Sequence, residues 1–178
     1  MSPAAPSLKG AEVRAPGATL AFRNRQRDRR LNLPFLRRVL RHVLAEELRV
    51  PCAELCFHFV TAEKMARVNW QFLRHEGSTD VITFDYTETE FGTQNLVQGL
   101  HGEAFICVAD AVKQAREFKS NWQSEVVRYA VHAVLHLRGY DDLQLLKRRV
   151  MKREENRLMR ELTSRFDFAE LERQTARR

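Results

Sequence analysis

The chain has 178 residues, 44% of them hydrophobic and 30% charged, which is enough to bury one substantial core and hardly two. No apolar run approaches the ~20 residues a membrane-spanning helix needs, and the opening MSPAAPSLKGAEVRAPGA lacks the apolar centre of a signal peptide, so a cytoplasmic, membrane-free protein is expected. The net charge of +7 favours polyanionic partners.

That charge is unevenly spread. Residues 1–30 hold seven Lys or Arg against two acids, and residues 143–178 hold eleven against six. From Glu76 through Val112 seven acids occur with no Lys or Arg. Basic ends therefore flank an acidic middle, and phosphates should approach from the basic helices. Cys52, Cys56 and Cys107 are an odd number with no CxxC pair, which suggests neither a disulfide framework nor a cysteine zinc site. They read as reduced, mostly buried thiols.

Along the chain, residues 1–18 are rich in Ala, Pro, Gly and Ser, have little to bury, and read as a disordered lead. A metallo-hydrolase domain is expected over 19–162 and a charged tail over 163–178. TLAFRN (19–24) suits a short edge strand. Asn32 then offers a helix N-cap and Pro34 a first-turn residue, followed by Leu36, Val39, Leu40, Val43 and Leu44 at helical spacing. ELCFHFV (54–60) reads as a strand, and Thr61 caps a second helix with Met65, Val68 and Phe72 inward. TDVITFDY (79–86) and GEAFICV (102–108) are two more strands that should pair, separated by a Gly- and Gln-containing loop. Helical patterns follow to about Phe118, from about Ser124 to Leu137, and from Leu143 to Leu162. The fold class is thus α/β (α+β): a mixed four-stranded sheet with about five packed helices, and a metal site at the end of a helix in the C-terminal half.

The chemistry is concentrated in HAVLHLRGYDD (132–142). Four residues along a helix change direction by only ~40° and height by ~6 Å, so the imidazoles of His132 and His136 can converge on one ion. Gly139 lets the helix end in a left-handed turn that swings Asp142 round as third ligand. Two imidazoles and a carboxylate suit one Zn²⁺ per chain, with a position left open for water. An isolated His pair at this spacing is more often an ordinary helix feature. Here the Gly and Asp accompany it, and the flanking Val127, Ala130, Val131, Val134, Leu135 and Leu137 make unpartnered histidines costly. Zinc peptidases share this spacing but carry Glu after the first His. Here that residue is Ala133, so a general base would have to be Asp141, Asp142 or the metal-bound water.

The run HAVLHLRGYDD, with TDVITFDY and GEAFICVADAVKQA (102–115), resembles the YbeY family of bacterial endoribonucleases over roughly residues 20–160. The resemblance implies a zinc-bound, single-strand-specific RNase that matures ribosomal RNA, notably the 3′ end of small-subunit rRNA, and assists ribosome quality control. It also implies rRNA and the small ribosomal subunit as partners. The family motif looks like HGxLHLxGYDH, whose three metal-binding His fall on His132, His136 and Asp142. A carboxylate at 142 shifts preference towards harder divalent ions such as Mn²⁺ or Mg²⁺. An RNA-facing arginine of the family falls on Leu73 in VNWQFLRHEGSTDV, leaving Arg74 or His75 to substitute from a shifted angle. Arg74 and Asp141 therefore join the three metal ligands as expected catalytic residues, with Asp80 and Glu103 as further acidic candidates. Thr79 and Asp80 also suit a plain turn ahead of a strand. Two alternatives accompany the enzyme reading: a non-catalytic ribosome-assembly or RNA-binding factor of the same fold, and a zinc peptidase, which Ala133 disfavours.

Overall fold

The computed structural model describes residues 17–87 and 99–173. The expected lead before 17, the loop over 88–98 and residues 174–178 lie outside them. Four strands, β1 (Gly17–Asn24), β2 (Cys52–Val60), β3 (Val81–Asp85) and β4 (Leu100–Cys107), form one sheet in the order β1-β2-β4-β3. β1 and β4 both run parallel to β2, while β3 is antiparallel to β4. With five α-helices among the described residues this is the mixed α+β architecture expected, and β1 is an edge strand.

Local chemistry sets the helix starts. Before α1 (Leu33–His42), the Asn32 side chain accepts a hydrogen bond from the Phe35 amide at 3.3 Å. Leu36, Val39 and Leu40 are buried, as are Val43 and Leu44 in the π-helical turn Val43–Glu47 that continues the helix. Thr61 Oγ1 accepts from the Lys64 amide at 3.2 Å and opens α2 (Ala62–Leu73). Met65 and Val68 point inward as expected, but Phe72 does not. It is 54% exposed and meets Phe84 edge-to-face at 4.8 Å, while the inward position is taken by Asn69, whose Nδ2 donates to the Gly77 carbonyl.

After α3 (Val108–Glu117), Asn121 Oδ1 accepts from the Ser124 amide at 2.7 Å and starts α4 (Trp122–Leu137). Val126, Val127, Ala130, Val131, Ala133, Val134 and Leu135 are all fully buried, so α4 is the central helix of the core. It lies close on β4 at Gly102, where an added Cβ would fall 2.5 Å from the Phe84 carbonyl oxygen and 2.7 Å from Leu137 Cδ2. Gly102, Ala104 and Ile106 thus face α4, and His101, Glu103 and Phe105 face the other side of the sheet.

α5 (Leu145–Arg165) runs past residue 162, where a charged tail was expected to begin. The chain then makes a 3-10 turn, Phe168–Leu171, and Glu172 bridges back to Leu31. Phe168 and Leu171 are buried, so packed structure reaches beyond 163 because two apolar residues sit within an otherwise polar stretch. Among the described residues, no helix is long and apolar enough to cross a membrane.

Candidate metal centre

α4 ends at Leu137 and the chain turns at Gly139, whose φ of 93° is open only to glycine at little strain. The Gly139 amide donates to the His136 carbonyl and the Tyr140 amide to the Leu135 carbonyl, which satisfies the last turn and reverses the chain. The reversal has two effects on the site. It brings the Tyr140 carbonyl under His136 Nδ1 at 3.1 Å, and it carries Asp142 back so that its Oδ2 lies 3.8 Å from His132 Nε2 and 3.9 Å from His136 Nε2. Donor atoms of His132, His136 and Asp142 all lie within 4.8 Å of one another.

The two Nε2 atoms are 3.0 Å apart, and what their Nδ1 atoms touch decides how they face. His132 Nδ1 is 2.9 Å from Glu155 Oε2. Burial alone would raise the Glu155 carboxyl, but hydrogen bonds from His132, Lys152 and Arg128 outweigh it and hold the group down to about 2. An ionised carboxylate only accepts, so His132 Nδ1 carries the hydrogen. The Tyr140 carbonyl likewise only accepts, so His136 Nδ1 carries one too. In the neutral rings both Nε2 lone pairs then point at each other across 3.0 Å, an arrangement that needs a cation between them. A proton fills that need poorly, because burial and the neighbouring His132 lower the His136 imidazole, against the opposing pull of Asp142, the Tyr140 carbonyl and Asp80. A divalent ion fills it well: two nitrogens at ~2.0–2.1 Å from a tetrahedral Zn²⁺ are roughly 3.3 Å apart. Two imidazoles and a carboxylate therefore fit a Zn²⁺-class ion.

Glu155 was not singled out by motif reasoning. Its side chain is 4% exposed; it accepts from Arg128 at 2.7 Å and from Lys152 at 2.8 Å, and through His132 it fixes the ring's tautomer and plane. A signal for it exists in the sequence. Met151, Glu155, Leu158, Met159 and Leu162 are the buried face of α5, so Glu155 is the one charged residue on an apolar stripe.

The other expected residues are dispersed. Asp141 adjoins the site but closes a turn: Oδ1 accepts from the Leu143 amide at 2.9 Å and Oδ2 from Lys147 at 3.1 Å. Those bonds, the Leu143 amide first, hold its carboxyl below the usual range, which is opposite to what a general base near neutral pH requires. Arg74 is the exposed C-cap of α2 in the left-handed conformation, φ 57°, and no side-chain hydrogen bond or ion pair ties it to the metal-binding set. Asp80 acts electrostatically on His136 while its Oδ1 accepts from Thr79 Oγ1 and the Val81 amide, the turn geometry expected of TDV. Glu103 belongs to the opposite face of the sheet, because β4 alternates and Gly102 is the residue that meets α4. There it joins Cys56 and His58 in a second candidate donor group, which the cysteine spacing alone does not suggest. Cys107 is buried, while Cys52 and Cys56 are only half-buried.

Comparison with known proteins gives likenesses of sequence and of fold. The profile of the family described as endoribonuclease YbeY matches residues 21–163. A protein named Endoribonuclease YbeY from Chlorobium phaeobacteroides is 35% identical over 129 residues, which is 72% of this chain and 87% of the relative. One of the same name from Salinibacter ruber is 29% identical over 133 residues, 74% of this chain and 84% of the relative. A solution structure of a Thermotoga maritima protein, 19% identical, matches with a TM-score of 0.56 over 82% of this chain and 90% of that one, a likeness of fold alone.

Proposed function

The chain belongs to the YbeY family of endoribonucleases, and from that premise we propose that it cuts single-stranded RNA in a metal-dependent reaction that matures rRNA. Its partners in this reading are ribosomal RNA, at the 3′ end of the small-subunit rRNA, and the small ribosomal subunit, in the cytoplasm, with a further part in ribosome quality control. The described body acts as one metallo-hydrolase domain. The observation that carries the proposal is the pair of Nε2 lone pairs facing each other at 3.0 Å with both Nδ1 atoms already committed. His132, His136 and Asp142 would hold the ion, Zn²⁺ by ligand set, with Mn²⁺ or Mg²⁺ admitted by the carboxylate. When bound, the ion supplies Lewis acidity for phosphodiester hydrolysis.

The chain's own residues divide the remaining work. Glu155 and the Tyr140 carbonyl keep both imidazoles in the ligating tautomer. Arg74, exposed at the end of α2, is assigned to steadying a phosphate in place of the position held by Leu73. Asp141 shapes the loop that carries Asp142. A peptidase reading has no support, since position 133, where zinc peptidases carry their glutamate base, is a fully buried alanine.

The test is cleavage of labelled single-stranded and duplex RNA by chelator-treated and metal-restored protein. Cutting of single strands that disappears with chelation and returns with Zn²⁺ or Mn²⁺ is expected. Cutting that persists in chelator would remove the metal from the mechanism. RNA binding without cutting under every metal would identify a non-catalytic assembly factor.

A further inference from the structure

The face of the sheet turned away from α4 gathers donors of its own. Cys56 and His58 are two apart on β2 and share that face. Register sets Glu103 directly across from Cys56 and Phe105 across from His58. One donor atom each from Cys56, His58 and Glu103 lies within 4.8 Å of the other two. The His58 ring is stacked on Phe105 at 4.4 Å with 5° between planes, which fixes the direction of its nitrogens. Its Nε2 is directed at Glu103 Oε2, 3.5 Å away, yet is sealed from solvent and makes no hydrogen bond. A buried ring nitrogen that faces a carboxylate without a hydrogen bond carries a cost that a cation held by both groups relieves.

We propose that Cys56, His58 and Glu103 form a second metal site, which takes a transition ion of the Zn²⁺ class. Sulfur and imidazole select against Mg²⁺ and Ca²⁺, which prefer all-oxygen shells, and three protein ligands leave a fourth position open. Binding replaces the Cys56 thiol hydrogen by the ion, and the proton passes to the buffer. Burial and the Glu103 carboxylate push the Cys56 thiol up, opposed by Arg23, the register partner of His58 on β1, so the charge of the ion itself has to draw the proton off. The inference stands on β2 and β4 alone and is independent of the RNase reading.

Cobalt makes the test specific, because thiolate-to-Co²⁺ charge transfer absorbs in the near ultraviolet and the set on α4 contains no sulfur. Chelator-treated full-length chain is titrated with Co²⁺ alone. In the wild type a charge-transfer band is expected that grows with the second equivalent, after the α4 set has filled, and with both His132→Ala and His136→Ala introduced the same band should saturate at the first. Cys56→Ser should abolish it while the other equivalent still binds, and Glu103→Gln should weaken the Co²⁺ affinity read from the band by at least about 10-fold. A wild-type chain without the band would overturn the proposal. So would a band that survives in Cys56→Ser, since it would then arise at Cys52 or Cys107.

Discussion

On α4 and the loop after it, each ring is tied by the nitrogen that faces away from the ion: His132 to Glu155 at 2.9 Å and His136 to the Tyr140 carbonyl at 3.1 Å. On the face of the sheet turned away from α4, His58 is held by stacking on Phe105, and its inward nitrogen makes no hydrogen bond. Stacking fixes the plane of an imidazole; a hydrogen bond to an acceptor fixes its tautomer as well. The helix cluster is therefore pre-set for a cation, and the sheet cluster becomes set only when a cation arrives. The first should bind the more tightly, with the ordering cost already met by folding.

The comparison is tested hardest at Glu155. Glu155→Gln keeps the shape but removes the obligate acceptor, so metal affinity of the helix cluster and RNA cleavage should each fall by about 10–100-fold, while the cobalt–thiolate band of the sheet cluster is unmoved. Competition titration against a chromogenic chelator reads the affinity, and equal weakening of both clusters would break the distinction. Next in size is Gly102→Ala, at the strand that separates the clusters. Its Cβ would meet the Phe84 carbonyl and Leu137, so chemical denaturation should show a loss of about 1–3 kcal/mol. An unchanged midpoint would mean that α4 stands farther from β4. The smallest effect is expected of Asp141→Ala, which frees the Leu143 amide and Lys147 in the turn that carries Asp142 but removes no metal ligand. Cleavage and metal affinity should fall only slightly, as that turn loosens; a loss as large as that of a ligand variant would restore Asp141 as the base.

What could be read from the sequence was local. The caps at Asn32 and Thr61 lie three residues from the amides they bind, and the His132–His136–Asp142 triangle follows from helix pitch plus one glycine. The strands, their order of appearance and the pairing of β3 with β4 were legible for the same reason. What could not be read depends on which element packs on which. Glu103 is an acid on a strand until register places it across from Cys56 and Gly102 turns it away from α4. Phe72 fits a helical apolar face, yet Asn69 takes the inward place and Phe72 rests against Phe84 at the surface. Glu155 looked like one of many charges on a basic helix until α5 laid it against His132, 23 residues away. Phe168 and Leu171 were hidden by the charges around them.

In the proposed function, the ion between His132 and His136 is what the chain cuts RNA with. The most direct measurement follows three quantities in one variant, His136→Ala: metal content, RNA affinity and RNA cleavage. One metal equivalent should be lost, binding of single-stranded RNA should persist on the basic surface, and cleavage should fall by more than the roughly 10–100-fold cost of losing an outer partner. Cleavage at the wild-type rate from protein that lacks that equivalent would contradict it.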